Sequence, residues 1–296
     1  MTLSILIPHY NHGKYLLEML DQIRKQTLQP DEVVVIDDAS TDQSVQLIKE
    51  YDPTLTLIEN KKNLGVVGTL RKGARLLTGK YVIYLSADDW IFPSFFEACV
   101  EALESHPTAG LATGRMAFFR NQKPYEFSYS KAPQLREGFY SPREVENLYR
   151  RTSLFIYTTS TCYRREIVPE QEEAFGFAAD WAMNQFIGTT YGIVFLSKVF
   201  GACRVVESSY AASSKMNPTL RGSIFEALIQ EFKRRGKRGK RAMVFGGILS
   251  QLGIQMIKFL LKRPRYWYLL PMTMIKKVQF YLATRLSKCS FSADSK

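Results

Sequence analysis

The feature that most constrains this chain is an alternation near its N-terminus, where short apolar runs are followed by segments of helical periodicity. Leu3 to Pro8, Glu32 to Asp37, Leu55 to Glu59 and Tyr81 to Ser86 are dominated by Val, Ile, Leu and Tyr, and turn or polar residues bound them, so they read as buried strands. Lys14 to Gln26, Thr41 to Lys49, Val66 to Leu77 and Pro93 to Ser105 carry apolar residues at three- and four-residue spacing, as in Leu16, Leu17, Leu20 and Ile23. This order predicts right-handed crossovers and a parallel sheet covered on both faces, a doubly wound α/β nucleotide-binding architecture.

Ligands of such sheets bind beyond the carboxyl ends of the strands. There the sequence places His9-Tyr10-Asn11-His12, then Asp37-Asp38-Ala39-Ser40-Thr41-Asp42, then Ala87-Asp88-Asp89-Trp90. Two acidic pairs thus converge on one sheet edge, which packing does not require, because close carboxylates repel and are costly to desolvate. Asp88-Asp89 suits a hard divalent cation meeting a diphosphate, and equally suits the start of a helix. Asp37 to Asp42 reads either as a turn with a Ser or Thr cap or as a nucleoside contact. Further along, Leu111 to Arg120 and Ile193 to Val206 look strand-forming, Asn121 to Arg143 is loop-like, and Leu154 to Tyr163 is rich in Thr and aromatics.

The segments Leu3 to Asn11, Glu32 to Asp42, Asn63-Leu64-Gly65 and Tyr84 to Asp89 resemble, in order and spacing, those of the family 2 glycosyltransferases. The resemblance covers roughly residues 1 to 206 and is most specific in the first 90. It implies a GT-A fold and an inverting transfer of a sugar from a nucleotide diphosphate, by family habit a UDP-sugar, to a hydroxyl of a saccharide or lipid-linked saccharide. It also implies a divalent cofactor, Mn²⁺ or Mg²⁺. By position, Pro8, His9, Tyr10, Asp37 and Asp38 resemble the nucleoside pocket, Arg71 a region near the donor phosphates, Asp88 the carboxylate near ribose or diphosphate, and Asp89 the metal ligand. Asp180, in Phe177-Ala178-Ala179-Asp180-Trp181, resembles the general base. Ser86 and Ala179 stand where many relatives carry acids. Gly65-Val66-Val67-Gly68 completes neither a dinucleotide loop nor a P-loop.

The formal charge of +12 is unevenly spread. Gly222 to Lys296 holds 16 of the 40 basic residues and 3 of the 28 acidic ones, leaving 24 basic against 25 acidic residues before it. The sequence therefore divides into a transferase domain over 1–221 and a basic amphipathic helical region over 222–296. Ala242 to Leu261 is largely apolar but interrupted by Gln251, Gln255 and Lys258, and basic clusters flank it. This favours an interfacial helix on an anionic membrane surface over a solvated helical subdomain or a transmembrane span. A nucleic-acid partner would account for the tail but not for the acidic edge, so none is expected. Cys99, Cys162, Cys203 and Cys289 lack the spacing of a disulfide framework or zinc site. With no secretory signal evident at the start, the enzyme is expected at the cytoplasmic face of the membrane, peripheral or monotopic. The alternative reading is a catalytically silent, membrane-recruited transferase-like binding protein.

Overall fold

The computed structural model describes residues 2–120, 128–129, 135–152, 154–170, 172–205, 218–245, 248–275 and 278. The first half runs β1 (Leu3–His9), α1 (Gly13–Arg24), β2 (Glu32–Asp37), α2 (Ser44–Tyr51), β3 (Thr56–Glu59), α3 (Gly65–Ala74), β4 (Tyr81–Tyr84), β5 (Trp90–Ile91) and α4 (Phe95–Ser105). The second half adds β6 (Leu111–Phe119), β7 (Ser128–Tyr129), β8 (Gly138–Tyr140), α5 (Pro142–Arg151), β9 (Thr161–Arg164), α6 (Ala179–Tyr191) and β10 (Ile193–Arg204). Three helices follow, α7 (Pro218–Arg234), α8 (Gly236–Val244) and α9 (Ile254–Leu261).

The strands form one sheet in the order β3-β2-β1-β4-β9-β6-β10-β5, with β7 on β6 and β8 on β10. β3, β2, β1 and β4 are parallel, as the alternation predicts. Beyond these four strands the sheet is mixed, because β9 inserts antiparallel between β4 and β6. β6 and β10 are parallel again, whereas β5 runs antiparallel to β10. Antiparallel neighbours need no crossover helix, so the periodicity that reveals the first half is missing from the second.

Alternation within β1 sorts its side chains between two cores. Ile5 and Ile7 pack with Leu16, Met19 and Leu20 of α1 and Phe95 and Phe96 of α4. Leu6 faces the other way, toward Val67 of α3 and a core that continues into the C-terminal helices. Each fully buried side chain of this size contributes roughly 1.5–3 kcal/mol.

Local chemistry moves several expected boundaries. α2 begins at Ser44 rather than Thr41, because Asp42 first accepts the Ser44 amide at 3.0 Å in a turn. α4 begins at Phe95 rather than Pro93, since Ser94 has φ +64° and cannot be helical. α5 lies partly in the stretch read as loop; its Ser141-Pro142-Arg143-Glu144 start is a complete capping box. The expectations for 121–127, 130–134 and Cys289 lie outside the described residues.

The C-terminal helices share the main core. Ile224, Phe225, Leu228, Ile229 and Phe232 of α7 are at most 2% exposed within it. Phe232 sits 4.8 Å from the Phe186 ring and 6.3 Å from Trp181, both on α6. α8 turns back so closely that a Cβ at Gly239 would stand 2.0 Å from the Phe232 carbonyl oxygen. The boundary expected at 221/222 therefore falls inside a helix anchored to α6. Ala242 to Leu261 is also no single helix: α8 ends at Val244, Gly253 takes φ +79°, and α9 starts at Ile254. Among the described residues no helix is long and apolar enough to cross a membrane.

Candidate active site

The site is built from the carboxyl ends of β1, β2 and β4, closed by a turn before β9 and the first turn of α6. His9 and Asp37 are register partners at the ends of β1 and β2. Both are 2% exposed. Neither ring nitrogen of His9, nor Oδ1 of Asp37, has a hydrogen-bond partner among the described residues. Burial lowers the His9 pKa, opposed in part by the nearby Asp37 charge, so the imidazole is neutral near pH 7. Asp37 Oδ2 accepts the Ser40 amide at 3.0 Å. Asp38 Oδ1 accepts Asn60 Nδ2 and the Leu64 amide, both at 2.8 Å, and so ties β2 to the turn before α3. Asn11 and Ala39 take φ +53° and +61°, the strained side of the map for residues with a Cβ. Asn11 holds these two loops together through the Thr41 amide at 2.8 Å and Ser40 Oγ at 2.9 Å. Tyr10 is 44% exposed beside them.

The second acidic pair sits in the turn between β4 and β5. Asp89 is buried, with Thr159 Oγ1 donating to Oδ2 at 2.6 Å and the Arg204 amide to Oδ1 at 3.2 Å. Burial first, then the Asp88 charge, pushes its carboxyl up to about 7. Asp88 is half-buried, and its carboxylate has no hydrogen-bond partner among the described residues. The Arg204 side chain is fully enclosed: Nε donates to the Asp88 carbonyl at 2.8 Å, Nη2 pairs with Glu18 of α1 at 2.8 Å, and Tyr15 lies 4.2 Å beneath it. Arg204 thus pins the acidic turn rather than reaching outward.

Asp180 opens α6 and is exposed. Its Oδ1 accepts the Trp181 amide at 2.6 Å, and Thr158 Oγ1 lies 3.5 Å from Oδ2. Adjacent residues of one 3₁₀ turn, Thr158 and Thr159, therefore touch Asp180 and Asp89 respectively. Buried Asn184 braces that turn, donating to the Ile156 carbonyl at 3.0 Å and accepting Tyr163 OH at 2.6 Å. Arg71 of α3 pairs with Glu173 at 2.5 Å, just ahead of α6.

The family model described as "Glycosyl transferase family 2" matches residues 4–170, which is more than half of the chain. The chain belongs to this family.

Relatives and solved structures agree. "Glycosyltransferase GlyA" of Streptococcus pneumoniae is 29% identical over 151 residues, covering 50% of this chain and 21% of GlyA. The chain spans about half the length, or less, of the curated relatives it matches. Staphylococcus aureus TarS (residues 1–349), solved in complex with UDP-GlcNAc, superimposes with TM-score 0.64 at 20% identity, covering 88% of this chain and 73% of that one. The mannosyltransferase PcManGT from Pyrobaculum calidifontis, solved with GDP-Man and Mn²⁺, gives TM-score 0.57 at 19% identity, covering 93% and 86%. At these identities the structures establish the GT-A fold.

Within the family 2 fold, Pro8, His9 and Asp37 are the last residues of β1 and β2, whereas Tyr10, Asp38, Asp88 and Asp89 lie in the turns that follow β1, β2 and β4. Thr158 and Thr159 carry no site reading in the sequence, and Arg204, for which a phosphate contact and a structural role are both open there, takes the structural role. The run Thr158-Thr159-Ser160-Thr161 was the signal available for the first two, since hydroxyls in a loop are ready partners for carboxylates.

Proposed function

We propose that this chain transfers a sugar from a nucleoside diphosphate, a UDP-sugar by the family's habit, to a hydroxyl of a saccharide or lipid-linked saccharide, with inversion at the anomeric carbon. The observation that carries this reading is the Thr158–Thr159 turn, which joins the donor-side pair Asp88-Asp89 to Asp180 on the acceptor side. A single-displacement transfer needs a base and a leaving-group site held in fixed relation, and one rigid turn supplies that relation.

Asp180 takes the acceptor hydroxyl proton as the oxygen attacks the anomeric carbon. The bond from that carbon to the phosphate oxygen breaks, and its electron pair leaves with the nucleoside diphosphate. The neutral His9 and the open Oδ1 of Asp37 are buried polar atoms able to meet the nucleoside. Asp38 fixes the pocket wall through Asn60 and Leu64. Pro8, near the end of β1, and Tyr10, in the turn after it, flank His9. Arg71, whose Nη2 pairs with Glu173, is the proposed cation for the donor phosphates, with its other N–H donors turned to them.

GT-A glycosyltransferases commonly use divalent metals, and Mn²⁺ or Mg²⁺ is the proposed cofactor here. Among the described residues no cluster of three or more His, Cys, Asp or Glu could hold one. A cation bound through one carboxylate, with donor phosphates and water completing its shell, needs no such cluster, so the residues fit a site assembled with the donor. Asp88, rather than Asp89, suits the ligand role. Both Asp89 oxygens accept hydrogen bonds, from Thr159 and from the Arg204 amide, whereas the Asp88 carboxylate is open. The cation would neutralise charge developing on the leaving diphosphate.

The C-terminal basic region is proposed to bring the transferase domain to an anionic membrane surface, peripherally, on the cytoplasmic side. A lipid-borne acceptor would make that attachment useful.

The test is thermal stabilisation by UDP, GDP, CDP and dTDP, with and without Mn²⁺, in the parent chain, Asp88→Ala and Asp180→Asn. A bound ligand raises the melting temperature by linkage. One nucleotide should stabilise the parent in a metal-dependent way, fail to do so in Asp88→Ala, and still do so in Asp180→Asn, whose turnover collapses. Normal turnover in Asp180→Asn would remove the base assignment, and no stabilisation by any nucleotide would overturn the donor site.

A further inference from the structure

With most apolar side chains of the C-terminal helices buried, those that remain outside are unusually ordered in space. The backbone after α9 is a 3₁₀ helix over Pro264–Leu269 that continues as α-helix through 270–275. Its inner side holds Tyr266, Leu269 and Thr273, each at most 2% exposed. Its outer side presents Trp267, Pro271, Met274, Ile275 and, one turn on, Val278, at three- and four-residue spacing. Trp267, Met274, Ile275 and Val278 are between 51% and 58% exposed. A helix in water normally turns this stripe inward. Here it faces outward, and Leu261, 55% exposed at the end of α9, extends it through the bond from Trp267 Nε1 to its carbonyl at 3.2 Å.

Charge selects the occupant. Lys258 and Lys262 are exposed on the outward side of α9, with Ile254 and Leu261 interleaved at helical spacing. From Phe232 to Ala293 the sequence contains no Asp or Glu. A protein partner is met by a face with both signs of charge around an apolar centre, whereas long cationic side chains around Trp, Tyr and aliphatic residues match the headgroup boundary of an anionic bilayer. Tyr268, 47% exposed beside Trp267, adds a second amphipathic ring of the kind found at that boundary.

We infer that the outward face formed by Leu261, Trp267, Pro271, Met274, Ile275 and Val278, framed by Lys258 and Lys262, is the surface that docks on an anionic bilayer. This rests on the membrane-surface reading above and moves its contact from the interfacial helix expected over 242–261 to the end of α9 and the helix that follows it. Packing ties the docking face to the acceptor side. Phe259 and Tyr266 stack beneath it, Phe259 packs on Phe225 of α7, and Phe232 of α7 packs on Trp181 and Phe186 of the helix that Asp180 begins. Docking through this face therefore sets the attitude of α6 relative to the bilayer by two rigid helix contacts.

The experiment is flotation of the full chain with phosphatidylcholine vesicles, with and without phosphatidylglycerol, for the parent, for Trp267→Ser/Met274→Ser/Ile275→Ser, and for Lys237→Glu/Lys240→Glu on α8. The parent should float with phosphatidylglycerol vesicles and not with neutral ones. The triple serine variant should lose at least about tenfold in partitioning, since three insertable side chains are gone. Its melting temperature and nucleotide stabilisation should stay those of the parent, because all three sites are exposed. If it floats like the parent while the α8 reversal abolishes flotation, the membrane reading stands and this face is not the contact. If the parent floats with neither vesicle, both readings fall. If sedimentation without lipid shows a dimer that the serine variant dissociates, the face joins two copies of the chain and the inference is overturned.

Discussion

Replacing Thr158 and Thr159 in turn by valine separates the two halves of the proposed site with changes one residue apart. Thr159 is 4% exposed, and its hydroxyl stands 2.6 Å from a carboxylate whose burial already pushes it up to about 7. A hydrogen bond to such a charged, enclosed acceptor contributes about 1.5–3 kcal/mol, and among the described residues Asp89 has the Arg204 amide and a neighbouring thiol beside it. Thr159→Val should therefore cost about 2 kcal/mol, a fall of about 4 °C in melting temperature for a chain of this size. Nucleotide stabilisation should weaken as the 88–89 turn loosens. Thr158 is half-buried and its contact to Asp180 is long, at 3.5 Å. Thr158→Val should change stability by no more than about 0.5 kcal/mol. It should instead lower turnover about tenfold, equivalent to about 1.4 kcal/mol in the transition state, with nucleotide stabilisation intact. Calorimetry with and without nucleotide, beside nucleoside diphosphate release, reads both effects. If the effects are exchanged, or if Thr158→Val spares turnover, the turn does not couple the two carboxylates and the site as drawn is wrong.

Truncating Phe232 to alanine should cost about 3–5 kcal/mol and leave a single unfolding transition, because α7 shares its core with α6; two separate calorimetric transitions would mean an independent C-terminal domain. Arg204→Met should destabilise by about 3 kcal/mol, by breaking the pair between its buried guanidinium and Glu18 and freeing the acidic turn, and urea midpoints would show it. His9 makes stability depend on pH in a defined direction. Its folded pKa lies below the ordinary 6.5, so its contribution is complete above 6.5 and is lost as pH falls, when the unfolded chain takes up the proton first. His9→Asn should flatten the melting-temperature profile below pH 6.5, and an unchanged profile would show that His9 is not the group responsible.

The first four strands, their helices and the two acidic pairs were legible in the sequence because each rests on local pattern. Short apolar runs and helical spacings declare β1 to β4 and α1 to α4 without reference to anything distant, and carboxyl strand ends follow from the crossovers. The second half was not legible in the same way, since β9 threads between β4 and β6 on no local signal. Residue type and position showed Asp88 and Asp89 as a pair but not which of the two stays open. That was decided by Thr159, 70 residues on, and by the Arg204 amide, 115 residues on, which take both oxygens of Asp89. The tail shows the same division. Its apolar content and lack of acids are plain in the sequence, yet a stretch such as Ala242 to Leu261 can bury itself in lipid or in protein at similar gain. Only the tertiary structure chose: Met243, Leu249, Met256 and Leu260 went inward, and the face from Leu261 to Val278 was left outside. Burial belongs to the partner surface that the rest of the chain supplies, and no segment carries that surface within itself.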